Sequence, residues 1–157
     1  MAKLFGVSLR KLQKGIDHEG CACYSADVYY NGERLGFWAQ DAWGGPDSMD
    51  FEKDVLLPAV DQFRQSDLVE DRYRDLTNVS ILIDKLVGLC EDEKLYKKGL
   101  KNGYNAFVIQ EYGYRQGFWM NGTREDVQKS KEYKDLVEKS RGIKVRVYTD
   151  IKDFEVA

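Results

Sequence analysis

Proline is almost missing from this chain, with 2 in 157 residues. That excludes a proline-rich extended linker and argues against a disordered tail. Cysteine is scarce and odd in number: Cys21, Cys23 and Cys90. An odd count cannot close a complete set of disulfides, so free thiols in a reducing compartment are expected. There is one histidine, His18. No apolar run approaches the roughly 18–20 residues that a membrane span needs. The opening Met-Ala-Lys-Leu-Phe-Gly-Val lacks the apolar stretch of an export signal. The expectation is a cytoplasmic protein without membrane contact. Gly-x-Ser-x-Gly, Walker A and Gly-x-Gly-x-x-Gly strings are also absent, so neither a common nucleophile nor a nucleotide loop is announced.

What is present is aromatic and charged. Ten Tyr, seven Phe and three Trp make 13% of the residues. The formal charge of −3 hides an asymmetry: residues 1–93 hold 10 basic and 18 acidic groups, net −8, and residues 94–157 hold 14 and 9, net +5. Such a split marks either a partner surface or complementary faces within one fold.

Residues 3–13, 21–30 and 34–40 read as strands, with Tyr24, Ala26, Val28 and Tyr30 on one face and Asn31-Gly32 as a hairpin turn. A Gly-Gly-Pro loop follows at 41–47. A helix is expected to begin after Ser48 or Asp50 and run to Ser66, with Asp47, Ser48 and Asp50 as caps. Pro58 either kinks it or marks the first turn of a helix starting near Leu57. Thr77 or Asn78 opens a helix over 78–98 with a stripe of Leu82, Leu86, Leu89 and Cys90, and Gly99 is the expected stop. Strands at 103–110 and 114–120 then form a second hairpin. Thr123 and Asp126 suggest a capping box for a helix over 123–140 with Val127, Leu136 and Val137 inward. A strand at 143–149 and a short terminal edge strand finish the chain.

One pattern is more specific. Gly32-Glu33-Arg34-Leu35-Gly36-Phe37-Trp38 and Gly113-Tyr114-Arg115-Gln116-Gly117-Phe118-Trp119 share five of seven residues at an offset of 81. Upstream, Tyr24 to Val28 matches Tyr104 to Val108 at an offset of 80, and the one-residue difference falls in the turn. The unit strand–turn–strand–helix therefore occurs twice. The expected fold is α+β: an antiparallel or mixed sheet of about six strands covered by about three helices, with an internal β-β-α duplication. A single domain of 157 residues is expected, with related halves at 21–66 and 103–140 and a connecting helix at 78–98.

Period-two spacing places Arg34, Gly36 and Trp38 on one strand face and Phe37 on the other; Arg115, Gly117 and Trp119 repeat this opposite Phe118. Phe37 and Phe118 are the expected core residues. The Arg-Gly-Trp faces are then either internal stacks or binding platforms. The candidate binding residues are Arg34, Trp38, Trp43, Arg115, Trp119, Lys94, Lys97 and Lys98. Two further groups of residues offer chemistry besides binding. His18, Cys21 and Cys23 spell His-x-x-Cys-x-Cys, three ligand types without the usual Cys-x-x-Cys spacing of zinc sites. Asp41, Asp47, Asp50 and Glu52 gather carboxylates that a metal-dependent hydrolase or nuclease would use. Neither forms a full catalytic constellation, so a non-enzyme without a cofactor or metal is expected.

The stretch Tyr30 to Trp38, running into Trp43-Gly44-Gly45-Pro46-Asp47 and a helix, resembles segments of small proteins carried by bacteriophages and mobile elements, of the anti-defence (anti-CRISPR) type. The resemblance implies a protein that acts by binding. The expected function is an interaction protein that inhibits a macromolecular partner, a protein or ribonucleoprotein such as a bacterial nuclease complex. The alternative is a nucleic-acid-binding module built on the basic and aromatic residues.

Overall fold

Alternating residues and two-residue turns build most of the first sheet, and the helices follow where that alternation gives way to four-residue stripes. The computed structural model describes residues 1–111 and 116–157. The fold is α+β, and the chain divides into two compact units, residues 1–89 with 155–157 and residues 90–154.

The first unit is built on a six-stranded mixed sheet. Its strands are β1 (Lys3–Leu4), β2 (Val7–Ile16), β3 (Ala22–Tyr30), β4 (Glu33–Ala39), β5 (Ser48–Met49) and β9 (Glu155–Val156), in the order β5-β4-β3-β2-β1-β9. Phe5-Gly6 and Asn31-Gly32 close two tight hairpins, and all four residues have positive φ, as type I′ geometry requires. The terminal strand β9 pairs parallel to β1. One sheet face carries Val7, Leu9, Ala26, Val28 and Trp38, all buried. Helix α1 (Leu57–Gln65) has Pro58 in its first turn, where no amide partner is lost, and buries Ala59, Val60 and Phe63. Helix α2 (Val79–Lys101) gives its residues up to Leu89 to this unit, and Leu82, Ile83 and Leu86 have no exposed surface.

The second unit holds a three-stranded antiparallel sheet, β6 (Ala106–Gln110), β7 (Gly117–Met120) and β8 (Val145–Tyr148), with β6 in the middle. Every residue of β6 is buried, because both faces of the sheet are covered. On one face Ala106, Val108 and Val147 pack with Val127 and Leu136 of helices α3 (Arg124–Lys129) and α4 (Lys131–Lys139). On the other, Phe107 lies between Trp119 and Tyr148, and Tyr148 stacks on Phe154 at 4.3 Å. Residues 90–101 of α2 flank this row: the Trp119 indole N–H donates to Leu95 O at 2.8 Å.

Several expectations are corrected. The expected six-stranded mixed sheet is present, and the chain's second unit holds a separate three-stranded sheet. Gly99 does not stop α2; the helix continues to Lys101 and ends at Gly103, whose φ of 89° suits a helix stop. The expected 123–140 helix is two, because Ser130 leaves the helical conformation and its hydroxyl caps α4 through the Tyr133 N–H. The capping box at Thr123 and Asp126 forms. Val137 is 42% exposed, and Tyr133 packs on the core instead. Asp47, Ser48 and Asp50 cap no helix. Ser48 lies in β5, and the two aspartates bond β4.

Candidate functional site

The repeated Gly-x-Arg-x-Gly-Phe-Trp string does not have one role in its two copies. In the first, the β3–β4 register pairs Val28 with Gly36 but Tyr29 with Arg34. That bulge leaves Leu35 as the extra residue and moves Arg34 to the face of Phe37, away from Trp38. Trp38 is fully buried and Phe37 is 43% exposed, the reverse of the expected arrangement. Trp38 is thus a core residue and no platform. Arg34 pairs with Asp27 at 2.9 Å on the outer face, so its guanidinium is held there. In the second copy Phe118 does reach the α3–α4 core, while Trp119 lies half-buried against Gly99. Arg115, with Gly113 and Tyr114 of the same string, lies outside the described residues.

The lysine candidates are engaged locally. Lys94 pairs with Glu91 at 3.2 Å and Lys97 with Glu93 at 3.5 Å, both within one turn of α2. Lys98 stands over the Trp119 ring at 5.9 Å. Among the described candidates, only Lys98 and Trp119 are brought together in this way.

Trp43 is different. It is 78% exposed, yet the backbone around it is tied down. Asp41 accepts from the Trp43 N–H at 3.1 Å and from the Gly45 N–H at 2.9 Å. A Cβ at position 45 would collide with the Asp41 carboxylate, so glycine permits this wrap. The hairpin loop between β2 and β3 is organised in the same manner: Asp17 accepts from the Glu19 and Cys21 N–H groups at 2.9 and 2.8 Å. These amides, Cys21 first, hold the Asp17 carboxyl below its ordinary range.

The two loops meet through His18. Its main-chain N–H and its Nδ1 both donate to Ala42 O, at 3.1 and 2.6 Å. Its ring stacks on Trp43 with centroids 4.9 Å apart and planes 20° from parallel. Nε2 faces Glu19 at 3.6 Å. Nearby in the chain, Ile16 at the end of β2 is 76% exposed. The result is a large aromatic side chain displayed to solvent on a loop pair that hydrogen bonds hold in place.

Its electrostatic setting is acidic. Asp17, Glu19, Asp41 and Asp47 belong to the two loops, and Asp84 lies on α2. Among the described residues, none of the five pairs with a lysine or arginine. Asp84 has its pKa raised, by partial desolvation and then by repulsion from Asp47, while Gln40 donates to it at 3.3 Å. The first unit carries 10 basic and 16 acidic residues, net −6; the second carries 14 and 11, net +3.

Neither the His18–Cys21–Cys23 group nor the Asp41–Glu52 carboxylates form an assembled centre among the described residues. His18 Nδ1 is committed to Ala42 O, and the Cys23 thiol donates to Gln40 O at 3.5 Å. Asp41 binds its own loop, Asp47 accepts from Trp38, and Asp50 accepts from the Phe37 N–H. Among the described residues, no three His, Cys, Asp or Glu side chains gather as a metal site would require. No helix among them is long and apolar enough to cross a membrane.

The His18–Trp43 stack is the element that sequence reading missed. The two residues are 25 positions apart, on loops without periodicity, so no local signal joins them. No protein-family model, curated protein or solved structure matches this chain.

Proposed function

We propose that this chain is a non-enzymatic interaction protein that binds and inhibits a macromolecular partner, and that Trp43 is its principal contact. One observation carries this reading: an indole 78% exposed to water, on a backbone that Asp41 and His18 hold in a single arrangement. Tryptophan is the residue type that most often dominates binding energy, and a preorganised loop loses less entropy on association. The carboxylates of the same loops, which meet no lysine or arginine among the described residues, favour a basic partner surface, such as the groove by which a nuclease or ribonucleoprotein holds its nucleic acid. The resemblance of residues 30–47 to anti-defence proteins supports the same partner class. The nucleic-acid-binding alternative has less support, because Lys94 and Lys97 are already paired with Glu91 and Glu93.

The test uses wild type and Trp43→Ala as baits against a bacterial lysate, followed by a nuclease assay on the captured partner. Expected is capture of a nucleic-acid-processing protein and inhibition of its cleavage by wild type. Trp43→Ala should lose at least tenfold in affinity, about 1.4 kcal/mol or more, at unchanged Tm. Equal capture by both baits would remove Trp43 from the interface.

A further inference from the structure

An aromatic ring offers two faces, and those of Trp43 differ in their neighbours. His18 lies against one, with centroids 4.9 Å apart and planes 20° from parallel. Trp43 as a whole is still 78% exposed, so the opposite face is open to water. Hydrogen bonds hold the backbone on both sides of the stack. Asp41 accepts from the Trp43 and Gly45 N–H groups, and the His18 main-chain N–H donates to Ala42 O at 3.1 Å. A flat π surface is thus covered on one side and presented on the other.

The charge around the stack selects what the open face accepts. Asp17, Glu19 and Asp41 meet no lysine or arginine among the described residues. Asp17 and Asp41 are tied to main-chain amides, whereas Glu19 faces His18 Nε2 at 3.6 Å with its side chain 72% exposed. An anion would be repelled here, and an apolar side chain would strip water from carboxylates without pairing them. A cation gains from both features: the indole is the most favourable aromatic face for it, and the loops carry the opposite charge. Of the two basic side chains, arginine fits better. Its guanidinium is planar, more weakly hydrated than an ammonium, and stacks flat while its edge N–H groups stay free for carboxylates.

We propose that the open face of Trp43 is a seat for one arginine side chain of the partner, and that the charge of His18 on the closed face regulates it. This rests on the reading of Trp43 as the principal contact and names the group it receives. A carbonyl oxygen can only accept, so the 2.6 Å contact with Ala42 O places the proton of neutral His18 on Nδ1 and leaves Nε2 bare. Acid adds a proton at Nε2, toward Glu19 Oε1. The imidazolium then lies on the indole as a cation of its own and takes up the Glu19 charge. Two cations compete for one ring and one field, and arginine binding weakens as His18 gains its proton. Besides His18, the titratable groups of the two loops are Asp17, Glu19, Asp41, Asp47 and the Cys21 thiol. Asp17 stays ionised through this change, because main-chain amides, Cys21 first, hold its carboxyl below the ordinary range.

The test titrates the ¹⁵N-labelled full chain with a capped hexapeptide alternating arginine and glycine, and with its lysine–glycine and citrulline–glycine counterparts, following the indole N–H signals. Trp43→Ala assigns the Trp43 signal. Trp38 and Trp119, whose N–H groups are bonded to Asp47 and to Leu95 O, are internal controls. The expected result is a saturable shift of the Trp43 signal with the arginine peptide and none at the controls. The lysine peptide should bind severalfold more weakly, and the citrulline peptide, flat but uncharged, at least tenfold more weakly. The arginine peptide should bind at least threefold more weakly at pH 5.5 than at pH 8, across the range in which histidine changes charge. His18→Phe keeps a ring against the indole and should remove that pH difference. Should this variant disturb the loops, Glu19→Gln leaves the Asp17 and Asp41 bonds in place and should weaken the arginine peptide severalfold at pH 8. The proposal is overturned if the arginine peptide leaves the Trp43 signal unmoved, if lysine or citrulline binds as tightly, or if affinity is equal at the two pH values. Trp43 shifts that grow with protein concentration and no peptide would make the occupant a second copy, and would overturn it as well. Lysate capture that requires Trp43, with a silent arginine titration, would overturn this seat and leave the interaction reading standing. Arginine binding at Trp43, with equal capture by wild type and Trp43→Ala, would uphold the seat and overturn that reading.

Discussion

The indole N–H of Trp38 donates to Asp47 Oδ2 at 2.8 Å, from a side chain with no exposed surface. This pair ties the core of the first sheet to the segment leading into β5. Trp38→Ala should cost about 3–5 kcal/mol by leaving a cavity. Asp47→Ala should cost about 1–3 kcal/mol by leaving the buried N–H without an acceptor. Denaturant melts of both single variants and the double variant check this, and the double should lose less than the sum.

Asp84 gives a pH dependence with a defined sign. Partial desolvation, and then Asp47, raise its pKa in the folded chain. The folded state therefore favours the protonated form. Asp84 lowers stability above its folded pKa, and that penalty fades as pH falls through it. Asp84→Asn should raise Tm at pH 7, with the gain shrinking toward pH 4. A gain that is constant across this range would contradict the assignment.

Two glycines of α2 should respond in opposite directions to alanine. At Gly88 a Cβ would meet no atom within 4 Å, so Gly88→Ala should stabilise by about 0.5–1 kcal/mol through helix propensity. At Gly99 it would run into the Trp119 indole, which is fixed by its bond to Leu95 O. Gly99→Ala should destabilise by about 1–3 kcal/mol and perturb Trp119 fluorescence.

The cysteines should separate by reactivity. Burial, then Glu93, pushes the Cys90 thiol up to about 12. At pH 8 its thiolate fraction is on the order of one in ten thousand. Cys21 is exposed. Alkylation followed by peptide mass spectrometry should label Cys21 within minutes and leave Cys90 unmodified until the chain is denatured.

What was legible in the sequence was local. Asn31-Gly32, the placement of Pro58 in a first turn, the Thr123–Asp126 box and the alternation of Tyr24 to Tyr30 are short-range signals, and the structure bears each out. The repeat was visible, but its register was not. A single bulge opposite Tyr29 reassigns Arg34 to another face, and strict alternation does not register an inserted residue. Phe37 and Trp38 consequently exchange places between solvent and core. Ser130 divides a charged helical pattern because its hydroxyl can start a new helix, which periodicity alone does not reveal. Trp43 could be named as a candidate from residue type, but its ring partner His18 comes from another loop.

Strand β9 lies beside β1, so the first and last strands of the chain are neighbours. A nascent chain emerging from the ribosome can form β2 to β5 early, but its sheet gains its final edge only when residue 156 has been synthesised. The portion made first is the portion completed last, and all of residues 90–154 must be translated before it closes. A truncation at the carboxyl end, far from β1 in sequence, would therefore strike the amino-terminal unit.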